Sequence, residues 1–202
     1  MTNVNSLRPN VGILLPAPAR TSTDQIIAAA RGLLEADGLD QVTMQRVAAA
    51  VGVRAPSLYK RIRDRDDLMH LVANDAAREL GDTLSATAGT ADPGKDLVAI
   101  ARTFRVWAHR SPAVYALLTT PVNPSWRVDP DLNVYMSRAI VDASAHLAGD
   151  DHALEAARTV VAFAHGFVSL ELAGTFRLGG DPADAYEFGI TTLVDAIAAR
   201  GT

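Results

Sequence analysis

The sequence predicts an all-α fold: an N-terminal helix-turn-helix three-helix bundle followed by a larger C-terminal helical domain. Three observations predict it. Helix-capping residues recur along the chain, apolar residues follow the helical spacing of three and four, and strand-like alternation is missing. With 49% apolar and 21% charged residues over 202 positions, the chain has enough material for a core.

Residues 1–20 are expected to form a flexible tail. Their apolar run, residues 11–15, is shorter than the roughly 7–15 residues of a secretory leader and ends in Pro16. Ser22 or Thr23 can cap a first helix near Asp24, whose face of Ile26, Ile27, Ala30, Leu33 and Leu34 points inward and which Gly38 stops. Thr43 caps a second helix over 44–50, with Met44, Val47 and Ala48 inward. A tight turn at 51–53 needs the left-handed backbone that Gly52 tolerates. Pro56 suits the first turn of a short third helix, where its missing N–H costs nothing, and Leu58 and Ile62 anchor it. A fourth helix follows Asp64, with Asp66 and Asp67 in its first turn.

The small, breaker-rich stretch 85–94 is the expected connection between a domain at 21–80 and another at 81–202. In the latter, Ser111-Pro112, Asp129-Pro130 and Asp181-Pro182 each read as a cap followed by proline. They frame helices expected at 95–109, 112–119, 130–148, 151–177 and 183–199. From Thr159 to Ala173 only His165 and Glu171 interrupt an apolar or small run, which predicts a helix buried on every side.

Composition excludes several classes. With no cysteine there are no disulfides, thiolate metal sites or thiol nucleophiles. A net charge of −4 argues against nonspecific adhesion to nucleic acid but leaves room for one basic face. No uninterrupted run reaches the roughly 18 apolar residues of a membrane span, so no membrane partner is expected and a cytoplasmic location is. The GTADPGKD stretch at 89–96 has phosphate-loop spacing but lacks the closing Ser/Thr and a preceding strand. The GDDH at 149–152 reads as helix-capping rather than as a metal site. No nucleophile–base pair is visible, so neither catalytic residues nor a cofactor is expected.

One stretch carries chemistry. From Arg54 to Arg63 there are four basic residues and no acidic one, next to an aromatic residue, Tyr59. The second and third helices have the lengths and turn of a helix-turn-helix, which lays its second helix in a DNA major groove. Arg54, Ala55, Ser57, Tyr59, Lys60 and Arg61 would then face the groove, where Arg reads guanine edges and Lys, Ser and Tyr donate to phosphate.

The stretch TMQRVAAAVGVRAPSLYKRIRDRDDL at 43–68 closely resembles the DNA-binding domain of TetR-family transcriptional regulators. Thr43, Val47-Ala48, Gly52, Leu58-Tyr59, Lys60, Ile62, Arg65, Asp66-Asp67 and Leu68 occupy the family's characteristic places. Ile62 stands where Phe is common, and Arg63 where Pro is common. The resemblance covers roughly residues 21–80 and implies DNA contacts from Thr43, Arg54, Ala55, Pro56, Ser57, Tyr59, Lys60, Arg61 and Arg65.

Residues 104–118 and 165–176 are similar to the WHG-type C-terminal ligand domain of that family, with Val161 near the place of its tryptophan. A pocket between helices would take its lining from Phe104, Trp107, Tyr115, Tyr135, Phe163 and Phe167, with His165 and Glu171 to orient a ligand. So little charge favours a hydrophobic or aromatic effector. One reading helix spans too few base pairs to single out a site, so a homodimer on a palindromic, double-stranded operator is expected. Its seam is expected through Val168, Leu172, Ile190, Leu193 and Ile197. The function implied is that of a ligand-released repressor. The alternative is an α-helical small-molecule-binding protein or enzyme without DNA-binding activity.

Overall fold

The computed structural model describes residues 21–200; the tail expected at 1–20 lies outside them. Among the described residues there are α-helices and short 3-10 turns but no strand. The helices are α1 (Thr23–Asp37), α2 (Met44–Ala50), α3 (Ala55–Leu58), α4 (Arg65–Thr87), α5 (Pro93–Arg110), α6 (Pro112–Thr119), α7 (Pro130–Ala148), α8 (Ala153–Leu172) and α9 (Pro182–Ala198).

Local chemistry accounts for most boundaries. Ser22 forms a capping box with Gln25, and Gly38, at φ 85°, ends α1. Thr43 accepts from the Arg46 N–H at 3.2 Å and Asp64 from the Asp67 N–H at 2.8 Å, which satisfies otherwise orphaned donors at the starts of α2 and α4. Asp181 caps α9 in the same way. So does Asp92 before Pro93, an Asp-Pro start inside the stretch expected to be a connection.

Two elements run differently from expectation. α4 continues through Thr87, across the expected boundary at 80/81, because Leu80 and Leu84 extend its buried stripe onto the C-terminal helices. α8 stops at Leu172 rather than near 177: Gly174, at φ 63°, turns the chain, and the Gly174 and Thr175 N–H groups donate back to Glu171 and Leu170.

α4 is the hub. It packs against α1 on one side and against α5, α6 and α7 on the other. α5 and α7 in turn support α8, and α9 closes over α5 and α8. At two crossings glycine lets a ring approach the helix closely. A Cβ on Gly81 would lie 2.7 Å from the Tyr135 ring, and one on Gly189 would lie 2.5 Å from Phe163. Asp150–Leu172 is long and apolar enough to cross a membrane by length and composition, yet it packs on α5, α7 and α9. On the protomer alone it is not enclosed: Val161, Ala162, Gly166, Ser169 and Leu170 are exposed.

Candidate functional site

The N-terminal unit presents a rigid basic face. The Val53 N–H donates to the Ala48 carbonyl at 2.9 Å around Gly52, whose φ of 73° sets the angle between α2 and α3. Leu58 and Ile62 are fully buried and hold α3 down. Its other side leaves Arg54, Pro56, Ser57, Tyr59, Lys60 and Arg61 exposed, with Ala55 half-buried. Tyr59 is 54% exposed, a large exposure for an aromatic residue. Arg54, Lys60 and Arg61 make no ion pair among the described residues, whereas Arg46 and Arg63 are held by Asp37 and Asp67.

Arg65 departs from the expected phosphate contact. Its Nε and one terminal nitrogen donate to the carbonyls of Val42 and Leu39 at 2.7 and 2.8 Å, and its guanidinium lies 5.2 Å from the Trp126 ring centroid. Its fork is committed to holding α4 against the loop that precedes α2. Thr43 Oγ1 accepts as the α2 cap, which leaves its O–H available to donate.

Side chains that no motif marked connect this unit to the C-terminal helices. Trp126, buried in a 3-10 turn between α6 and α7, donates from Nε1 to Asp66 at 2.9 Å, and Asn123 donates to the same carboxylate at 3.2 Å. Glu35 of α1 accepts from the Ala113 and Val114 N–H groups at 3.1 and 2.8 Å. It therefore caps α6, the role expected of Ser111, whose side chain makes no capping bond. Arg31 bridges to Asp75 at 2.7 Å and to Glu79, which also holds Arg110. Sequence offered no signal for these pairings, since they join residues 31 to 79 positions apart.

A cavity of about 490 Å³ opens among α4, α5, α6, α7 and α8. Phe104, Trp107, Tyr115 and His165 line it, as expected, together with Leu80, Leu118 and Met136. A smaller space of about 130 Å³ adjoins it and shares Leu80, Phe104, Met136, Val161 and His165. No Asp, Glu, Lys or Arg side chain lines either space. The Tyr115 hydroxyl lies 2.9 Å from Ser169 Oγ and 3.3 Å from both His165 Nδ1 and the His165 carbonyl. The imidazole sits 4.6 Å from Phe104 and stacks on Tyr115 at 5.7 Å. Burial pushes its pKa below the usual histidine value, so it is neutral at physiological pH. Trp107 Nε1, on the same wall, is buried without a hydrogen-bond partner among the described residues.

The other four expected ligand residues lie elsewhere. Tyr135 donates its hydroxyl to Asp82 and lines a separate polar cleft with Arg138, Asp142 and His146. Phe163 and Phe167 point away from the cavity and pack on Tyr186 of α9 at 5.4 and 5.2 Å. Glu171 receives both arms of Arg105, at 2.8 and 2.6 Å, and His109 at 3.0 Å. Burial alone would raise the Glu171 pKa, but these hydrogen bonds outweigh it and hold the carboxyl below its usual range. Residues 163, 167 and 171 share one face of α8, and residues 161, 165 and 169 share another. A helix apolar on both faces does not reveal which one meets the cavity.

The expected seam also divides. Val168 and Ile190 are 0% exposed and belong to the protomer's own core, where α8 and α9 meet the rest of the bundle. Leu172, Leu193 and Ile197 are half-buried, and the last two line a mainly apolar cleft of about 340 Å³ between α8 and α9. On the same two helices Phe188 is 76% exposed and Leu170 is also exposed.

Residues 26–72 match the family model described as bacterial regulatory proteins, tetR family, and residues 97–193 match that of the tetracyclin repressor-like C-terminal domain. The HTH-type transcriptional regulator Rv1816 of Mycobacterium tuberculosis is 30% identical over 122 residues, 59% of this chain and 52% of that protein. The match thus spans about half the length of the first curated relatives. A second regulator from the same organism, Rv0681, is 26% identical over 174 residues, 83% of this chain and 79% of its own length. Among solved structures, regulatory protein SCO4313 superposes with a TM-score of 0.69 at 28% identity, covering 86% of this chain and 95% of that one.

Proposed function

The chain belongs to the TetR family of bacterial regulatory proteins, and on that premise we propose that it is a homodimeric, cytoplasmic repressor released from operator DNA by a small apolar effector. The observation that carries DNA binding is the exposed side of α3, where Arg54, Lys60 and Arg61 have no acidic partner among the described residues while Leu58 and Ile62 fix the helix from beneath. A fixed helix with free donors suits a groove whose walls are phosphate. Residues 21–80 act as the DNA-binding unit, with Arg54, Ser57, Tyr59, Lys60 and Arg61 at the interface. Residues 81–202 bind ligand and pair protomers.

Pairing uses the open side of α8 and α9. On that side Phe188 and Leu170 are exposed apolar side chains that a second copy covers by two-fold symmetry, completing a four-helix bundle. The effector occupies the uncharged cavity beside His165, and its differential affinity for two arrangements of α4 and α6 separates the two α3 helices.

Selection of random duplexes by the purified protein yields a palindromic site if this is right. On that site Lys60→Ala weakens specific and random DNA alike and lowers the salt slope by about one unit per lost phosphate contact. Unchanged affinity in both Lys60→Ala and Tyr59→Ala removes α3 from the interface.

A further inference from the structure

Taking the cavity as the effector site, we infer that its ligand is an uncharged aromatic molecule bearing a hydroxyl group, and that His165 Nε2 is the atom that selects it. The walls supply no formal charge of either sign, so an ionised ligand entering them loses its hydration without gaining a counter-ion. Phe104, Trp107 and Tyr115 supply flat apolar surface for a ring system.

Within that surface His165 holds a particular position. It borders both the larger and the smaller space, so it stands where they join. Nδ1 faces the Tyr115 hydroxyl, and Nε2 has no protein partner among the described residues. Which role Nε2 plays depends on two hydroxyls. When Tyr115 donates to the His165 carbonyl, Nδ1 carries the proton and Nε2 presents a lone pair. When Tyr115 donates to Nδ1, Nε2 carries the proton instead, and Ser169 Oγ, 2.9 Å from Tyr115, can donate to the phenolic oxygen. Both arrangements keep the imidazole neutral, as its burial requires. A carbonyl can answer only the second arrangement and an ether likewise. A hydroxyl answers both, because it donates and accepts.

The test uses three probes with one ring system: naphthalene, naphthol and naphthoate, titrated calorimetrically into the full chain near neutral pH. Naphthol binds about tenfold more tightly than naphthalene, the gain of one satisfied hydrogen bond, and naphthoate binds more weakly than either. His165→Phe, which keeps a ring against Phe104 and Tyr115, brings naphthol down to the naphthalene level and leaves naphthalene unchanged. Met136→Trp, whose larger side chain reaches into both spaces, weakens binding of all three and so locates them. Equal binding of naphthol and naphthalene, tightest binding of naphthoate, or an equal loss of both neutral probes in His165→Phe overturns the hydroxyl selection while leaving the cavity reading intact. If no probe binds, or all three bind Met136→Trp as tightly as wild type, the cavity is not the aromatic site and both readings fall.

Discussion

Glu35→Ala is the most informative single change outside the DNA face. The carboxylate lies on α1, beneath the reading unit, and accepts from the first-turn amides of α6 at 3.1 and 2.8 Å. α6 carries Tyr115 on the cavity wall, so this cap is a direct mechanical join between the cavity and the N-terminal unit. Deleting it strands two partly buried N–H groups and removes a negative charge from the positive end of the helix. A hydrogen bond to a charged acceptor contributes about 1.5–3 kcal/mol when buried, and the charge–dipole term about 0.3–1 kcal/mol. Partial solvent access lets water recover some of this, which leaves a cost of about 2 kcal/mol. For a chain of this size each kcal/mol lowers Tm by about 2–4 °C, so a fall of about 4–8 °C is expected. Glu35→Gln keeps one acceptor oxygen and loses about half as much. Thermal melting reads the cost, and amide exchange at Ala113 and Val114 reads its location: both amides lose protection in Glu35→Ala while those of α9 do not. A Tm within 1 °C of wild type, roughly the shift of a neutral surface change, or protection unchanged at these two amides refutes the reasoning.

Two further outcomes follow from burial and charge. Phe188→Asp gives a folded monomer by light scattering and circular dichroism, whereas Val168→Asp places a charge in the protomer's core at a cost of several kcal/mol and unfolds it; a Phe188→Asp protein that remains dimeric moves the seam elsewhere. Glu171 is held ionised by Arg105 and His109, so its contribution is complete above the ordinary glutamate range, near pH 4.3, and is lost as pH falls through its lowered folded value. Glu171→Gln is therefore less stable than wild type at pH 6, and the gap between their melting temperatures narrows below about pH 4. Parallel melting temperatures across that range show that the ion pair contributes nothing.

Sequence alone determined what local chemistry determines. The Thr43 and Asp64 caps, the Gly52 turn and Pro56 in the first turn of α3 act within four residues of themselves, and each stands where the sequence put it. The exposed side of α3 was legible for the same reason, because a four-residue helix anchored by Leu58 has only one face left. Tertiary structure decided which face of α8 meets the cavity. Phe163 and Val161 are both apolar, and only the packed helices show that residues 163 and 167 meet Tyr186 of α9 while His165 meets the cavity. It also decided that Val168 and Ile190 are core rather than seam, since hydrophobicity says that a side chain is buried but not by which chain. Arg65 shows the same limit for charge. Its motif position implied a phosphate partner, but the carbonyls of Leu39 and Val42 and the ring of Trp126, 61 positions along the chain, engage it within the fold. Periodicity and capping are short-range physics and can be read along a chain. Partner choice among apolar faces and among charges depends on distances that exist only once the helices have packed.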